Sequence, residues 1–219
     1  MRIISEEELM KILENHKAWV NSAGADGERA DLRDTDMRKV CLAGVDLSGA
    51  DLRGMAATNM AGANLRNAHM AGANLTDADM RGANLTDADM EGADLAGADF
   101  RHSSLAYTNM DGANLIRANM AGTNLTHAYL IGADMTDADM TGADMKHACL
   151  TGAHMEYAHL SDSNLRNANL MAAFLQDASL RNADLRNADL EYAYLEYADL
   201  TGADMTGAKL VTPNPTEED

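Results

Sequence analysis

From residue 59 onward, apolar and polar positions repeat every five residues without a slip. Large apolar residues fall at Met60, Leu65, Met70, Leu75 and Met80 and continue to Leu210. These make 31 centres: 19 Leu, 11 Met and Phe100. Two residues before each centre stands a small one, Ala in 26 of the 31 cases. Asp or Asn usually lies between them. The same motif is centred earlier on Leu32, Met37, Leu42, Leu47 and Leu52, and the segment Arg53 to Ala57 then shifts the register by three residues. An α-helix does not fit this spacing. Five residues advance a helix by about 140° beyond a full turn, so the apolar residues would wind around it and form no face. Glycines such as Gly62, Gly72 and Gly82 would each cost about 1 kcal/mol in a helix interior. An extended segment fits. The small residue and the centre are two apart and point to one side. The next two residues, often Thr-Gly, Thr-Asp or Arg-Asn, turn a corner.

The residue two after the centre alternates between Gly and Asn or Asp over much of the chain, as in Gly62, Asn67, Gly72, Asp77, Gly82 and Asp87. Corners that alternate in type favour an even number of sides per coil. The smallest even polygon able to enclose Leu and Met is a square, with 20 residues per coil. Spacing alone does not fix the number at four.

The run A-[DN]-[LM]-x-x, as in ANLTDADMRGANLTDADM from Ala73 to Met90, resembles the pentapeptide-repeat family, and the resemblance extends over residues 30 to 210. It implies an all-β fold, a right-handed quadrilateral β-helix with Ala and Leu inside. It also implies work through protein contacts and not through catalysis. Coils spaced like neighbouring strands, about 4.8 Å apart, give about nine coils and a rod of roughly 43 Å. The organisation expected is a cap helix and connector over residues 1–29, the β-helix over 30–211 with its register break at 53–57, and an acidic tail over 212–219. The frequency of Met at the centres has no explanation beyond gap filling by a flexible side chain.

A β-helix has two open ends that expose strand edges and core. At the N-terminus, Ser5-Glu6-Glu7-Glu8 fits a capping box. Leu9, Ile12, Leu13 and His16 recur at helical spacing, with Trp19 and Val20 following. Residues 5 to 20 are therefore expected to form a helix over the first coil, with His16 as a packing residue. The C-terminus ends on VTPNPTEED and has no such helix. The last coil, with Leu195, Leu200, Met205, Leu210 and the following Val211, would stay open. A two-fold dimer joined at this end is expected; the other arrangement is the tail folded back as a lid.

The chain of 219 residues has 35 acidic and 17 basic residues, a net charge of −18. That balance excludes direct binding to nucleic acid or anionic membrane, which need basic patches. Residues 20 apart should stack, which sorts the surface from Thr58 to Val211 into four sides. Net charges are −2 on the Met60 side, 0 on the Leu65 side, −4 on the Met70 side and −6 on the Leu75 side. The Leu75 side sets Asp77, Asp94, Asp134, Asp137, Glu156, Asp177 and Glu196 against Arg117. The Met70 side sets Asp89, Glu91, Asp111, Asp189 and Glu191 against Lys209. Phe174, Tyr194, Tyr157 and Tyr197 lie outward on the Leu75 side, and Tyr192 stands at the adjoining corner. Aromatics ringed by acids resemble a protein-binding patch; the alternative is that they cover one another in ladders.

No other chemistry emerges. His127 and His147 stack in a column with Tyr107, and His154 follows Asp134, but ladders along flat sides do not converge as metal ligands must. The Asn and Asp before each centre are expected to hydrogen-bond along the stack. No phosphate loop or nucleophile–base pair is present, so no catalysis, metal or cofactor is expected. Cys41 and Cys149 are far apart and read as reduced thiols. MRIISEEELM has no basic region ahead of an apolar stretch, and no run nears 18 apolar residues. These features point to a cytoplasmic protein.

Two functions follow. One is a non-enzymatic protein-binding module or scaffold. The other, implied by the resemblance, is a DNA mimic that binds a type II topoisomerase, DNA gyrase or topoisomerase IV. DNA as long as the uninterrupted rod, roughly 37 Å, would carry about 22 charges. The four sides together carry a net −12. The quinolone-resistance members of the family also carry projecting loops, and here the only interruption is the short segment Arg53 to Ala57.

Overall fold

The computed structural model describes residues 2–37, 40–42, 44–57 and 59–211. A backbone without long strands must still satisfy every N–H, and Ala83–Asp87 shows how each pentapeptide does so. Ala83 N–H donates to the Met80 carbonyl at 3.0 Å and closes the preceding corner. Asn84 N–H reaches back one coil to Ala63 at 2.9 Å, and Leu85 N–H reaches forward to Ser104 at 2.7 Å. Asp87 N–H donates forward to Ala106 at 3.0 Å. Only the Thr86 N–H is left, and the Asn84 Oδ1 accepts it at 3.2 Å. Asn or Asp usually precedes the centre for this reason: its side chain closes a turn over the centre. Bonds between coils do occur, as from Asn114 Nδ2 to Asp94 Oδ1 at 3.0 Å, but fewer of these residues make them.

The stacking period is 20 residues. One column runs in parallel pairs through Asn74, Asp94, Asn114, Asp134, His154, Phe174 and Tyr194. Four pentapeptides therefore make one coil. The Leu, Met and Phe centres from Leu32 to Leu190 are fully buried, and the small residues line the lumen with them. At the register break the pairing narrows to 18 residues, as in Asp46 with Asn64 and Asp51 with His69. Before it, β1 (Asp36–Met37) pairs with β2 (Ala56–Ala57) at the full 20. Ala57 thus occupies a centre position opposite Met37. The next centre in the sequence, Met60, follows after three residues instead of five. Met55 takes the small-residue position and is fully buried there.

The corners correct the expected alternation. Gly62 has φ 65°, yet Asn67, Asp77, His102, Tyr107, Arg117 and Tyr157 also have φ between 54° and 61° at the same position. Corners alternate in residue, not in the sign of φ. A left-handed conformation costs an L-residue about 1–2 kcal/mol. The backbone ladders impose it even on Tyr and His.

The cap helix α1 spans Glu6–Asn21, with Ser5 as N-cap. Half of the capping box forms: Ser5 Oγ accepts the Glu8 N–H at 3.1 Å. The Glu8 carboxylate instead takes the Arg2 guanidinium at 2.9 Å. Leu9 and His16 are buried, and Ile12 and Leu13 pack against the lumen residues. His16 Nδ1 accepts the Ala30 N–H at 3.1 Å, tying the helix to the first coil. Trp19 stacks on His16 with 5.6 Å between centroids. At the other end Leu195, Leu200 and Met205 are half-buried, while Leu210 and Val211 are each 48 % exposed. The tail over 212–219, and with it the lid arrangement, lies outside the described residues.

Candidate partner-binding face

Arginines two residues after an aspartate curl back and chelate it. Arg33 Nε donates to Asp31 Oδ1, Arg53 to Asp51, Arg81 to Asp79 and Arg186 to Asp184, each at 2.8 Å, and Arg101 to Asp99 at 2.9 Å. In each case a second nitrogen reaches the other carboxylate oxygen. The guanidinium so placed holds each of these carboxyls below the usual range, Asp31 down to about 2. Fork-to-fork geometry makes such pairs stronger than point contacts. The pairs of Arg81, Arg101 and Arg186 cancel charge locally on the Met60 and Leu65 sides, while those of Arg33 and Arg53 lie in the column that continues into His69 on the Met70 side. The side sums missed this, although the signal, Asp-x-Arg across a centre, stands in the chain as Asp79-Met80-Arg81 and Asp99-Phe100-Arg101.

The Leu75 side has no such motif. Among the described residues, Asp77, Asp94, Asp134, Asp137, Asp177 and Glu196 take part in no ion pair. Asp94 Oδ1 accepts from Asn114, and Asp134 Oδ1 from the Thr136 N–H and hydroxyl at 3.0 and 2.7 Å. Asp137 and Asp177 share one corner column with Asp77, Tyr157 and Tyr197, exposed and projecting from left-handed backbone. Glu156 is half-buried, its Oε1 3.5 Å from His154 Nδ1 and its Oε2 buried without a partner. On the Met70 side Glu91, Asp111 and Glu191 share the position after the centre. Asp189 is held at 2.7 Å by Lys209, which also pushes its carboxyl pKa down.

The aromatics divide. His154, Phe174 and Tyr194 stack ring on ring at 4.6 and 4.9 Å, nearly parallel. Phe174 and Tyr194 are thereby half-buried rather than exposed, in the ladder that was the alternative to a binding patch. Phe174 has no side-chain acceptor for the Gln176 N–H, but the corner keeps its backbone turn, with Ala178 N–H donating to the Leu175 carbonyl at 3.1 Å. Tyr157, Tyr192 and Tyr197 stay exposed, by 55, 51 and 88 %. A second ladder, Tyr107–His127–His147, occupies a left-handed corner column at 4.8 and 4.7 Å. Among the described residues no three His, Cys, Asp or Glu converge as a metal would require, and no helix is long and apolar enough to cross a membrane.

A family model described as pentapeptide repeats, eight copies, matches residues 23–54, 58–97, 83–122, 93–130, 118–156, 148–187 and 183–211. The chain belongs to the pentapeptide-repeat family. As a pentapeptide-repeat protein it is a right-handed quadrilateral β-helix, here with one N-terminal helix. It is similar in fold to full-length QnrB1, a plasmid-mediated fluoroquinolone resistance protein, at TM-score 0.53 and 16 % identity over 83 % of this chain and 91 % of that one. A trypsin-treated variant of QnrB1 aligns at TM-score 0.56 and 18 % identity over 76 % and 86 % of the two chains. HetL, a pentapeptide repeat protein involved in heterocyst differentiation regulation in the cyanobacterium Nostoc sp. strain PCC 7120, is 29 % identical over 97 % of this chain and 99 % of its own, with TM-score 0.38. No curated protein matches significantly.

Proposed function

We propose that this pentapeptide-repeat rod, about nine coils long, is a non-enzymatic protein-binding module of the cytoplasm. Its Leu75 side, with the adjoining part of the Met70 side, presents acids and tyrosines to a basic protein surface. The observation that supports this is the uneven pairing. Arginine chelates Asp79, Asp99 and Asp184 on the Met60 and Leu65 sides, whereas among the described residues no arginine pairs with an acid of the Leu75 side. Unpaired charge steers association and selects a partner of opposite sign. Reversing Asp134, Asp137 and Asp177 together to Lys should abolish capture of the wild-type partner. Capture that persists in the triple variant would refute the assignment of this side.

The likeness in fold to QnrB1 favours a second reading, a DNA mimic acting on a type II topoisomerase. Internal arginine pairing weakens it, because DNA presents its charges unpaired. A supercoiling assay with purified gyrase, with and without a quinolone, separates the two. The scaffold reading expects no effect at tens of micromolar protein. A dimer through the C-terminal coil completes the proposal. The N–H groups of Leu195, Tyr197, Leu200, Gly202, Met205 and Gly207 occupy positions that donate to a following coil elsewhere. Among the described residues no carbonyl receives them.

A further inference from the structure

The Met70 side has a gap in its charge. Its segments 128–132, 148–152 and 168–172 contain no acidic or basic residue. Three apolar side chains stand outward there: Tyr129, Ile131 and Met171, exposed by 50, 45 and 36 %. Tyr129 stacks in register with Cys149, and Ile131, Thr151 and Met171 form the parallel column beside them. The adjoining corner is bare. It is made by Gly132 and Gly152, beside whose backbones an added Cβ would meet nothing within 4 Å. Acids close the window at both ends, Glu91 and Asp111 on one and Glu191 on the other. Asp111 is fixed in place. Tyr129 cannot accept the Ile131 N–H as an Asn or Asp would, and Asp111 Oδ1 accepts it from the neighbouring coil at 2.7 Å.

We propose that this window docks one segment of a partner protein, a short stretch of apolar side chains with basic residues at both ends. The inference rests on the protein-binding reading above and assigns its contact on the Met70 side. Charge complementarity selects the occupant. A second copy of this chain would bring acids against acids, and nucleic acid or an anionic membrane would be repelled. The span sets the length. Asp111 and Glu191 are four coils apart, about 19 Å at the strand spacing. A helix of about 13 residues covers that distance. Apolar anchors at the centre would supply most of the affinity, and the rim charges would supply orientation and rate.

Three synthetic helical peptides of about 15 residues test this against the full chain by fluorescence anisotropy. The first has a Leu and Phe centre with two Arg at each end, the second a Ser centre with the same ends, and the third the apolar centre with Glu ends. The protein variant Tyr129→Asn, Ile131→Thr, Met171→Thr carries only residue types that other coils already hold at these positions, so the fold is kept. Circular dichroism verifies it. The first peptide should bind the wild type, and the variant should weaken it by at least about tenfold. The second and third peptides should bind more weakly by a similar factor. Equal binding to wild type and variant, equal binding of the Ser-centred peptide, or no binding of the first peptide would each overturn the window. If affinity for the first peptide survives the window variant and falls on reversal of Asp134, Asp137 and Asp177, the acidic-side reading stands without the window. If partner capture is indifferent to both variants, the acidic-side reading falls as well.

Discussion

Single residues here answer first to the backbone. The corner position demands φ near 60°, and Ala172 accepts it at 55° without a side-chain reason. Replacing it by Gly removes the left-handed penalty but adds freedom to the unfolded chain, so Ala172→Gly should stabilise by roughly 0.5–1 kcal/mol. Gly132→Ala should destabilise by a similar amount, and urea midpoints read both. The aspartates chelated by arginine carry a pH signature. Their pKa values are depressed in the folded state, chiefly by the arginine hydrogen bonds. Their stabilisation is therefore complete above the unfolded carboxyl pKa, near about 4, and is lost as the pH falls through the folded values. For Asp31 that loss runs down to about 2. The thermal midpoint should fall between about pH 4 and 2, and the fall should be smaller in Asp31→Asn. An equal fall in both proteins would refute the pairing. Little of this was legible in sequence. The Asp-x-Arg spacing is plain, but only the turn over a buried centre shows that the two side chains meet.

At the scale of elements, α1 is the one helix among the described residues, and His16 is its tie to the first coil. The ring is fully buried and its pKa is lowered, first by desolvation. Asp46 opposes the shift and Arg29 reinforces it. Protonating Nδ1 would remove the acceptor that the Ala30 N–H uses. The folded state therefore favours the neutral ring, so docking is at full strength above the unfolded pKa of about 6.5 and weakens as pH falls below it. Trp19 stacks on this ring, and its emission should change as the pH falls below about 6.5 in the wild type but not in His16→Gln. A pH-independent spectrum in the wild type would contradict the role assigned to His16. Sequence showed the helix because Leu9, Ile12, Leu13 and His16 share one face. It did not show that Glu8 would take Arg2, because the partner lies before the helix and not within it.

The whole molecule is governed by its period. Five-residue spacing, with four sides per coil taken from the family resemblance, put Asp94 and Asp134 in one column, and the pairing through Asn114 places them there. The narrowing to 18 residues at the break was visible only as a shift of three. The half-buried state of Phe174 was hidden too, since outward position and exposure differ once rings stack. At the C-terminal end of the described coils, the proposed dimer predicts twice the chain mass by light scattering for the wild type. Leu210→Lys with Val211→Lys should halve it. A wild-type monomer at micromolar concentration would rule out the end-to-end dimer. The central claim is that arginine pairing leaves the acidity concentrated on the Leu75 side. Paramagnetic relaxation of amide protons by a cationic nitroxide, relative to a neutral one, measures local potential residue by residue. The ratio should be clearly higher at Asp134, Asp137 and Asp177 than at Asp79 and Asp99, although all five are aspartates on the same rod. Equal ratios on both sides would contradict it.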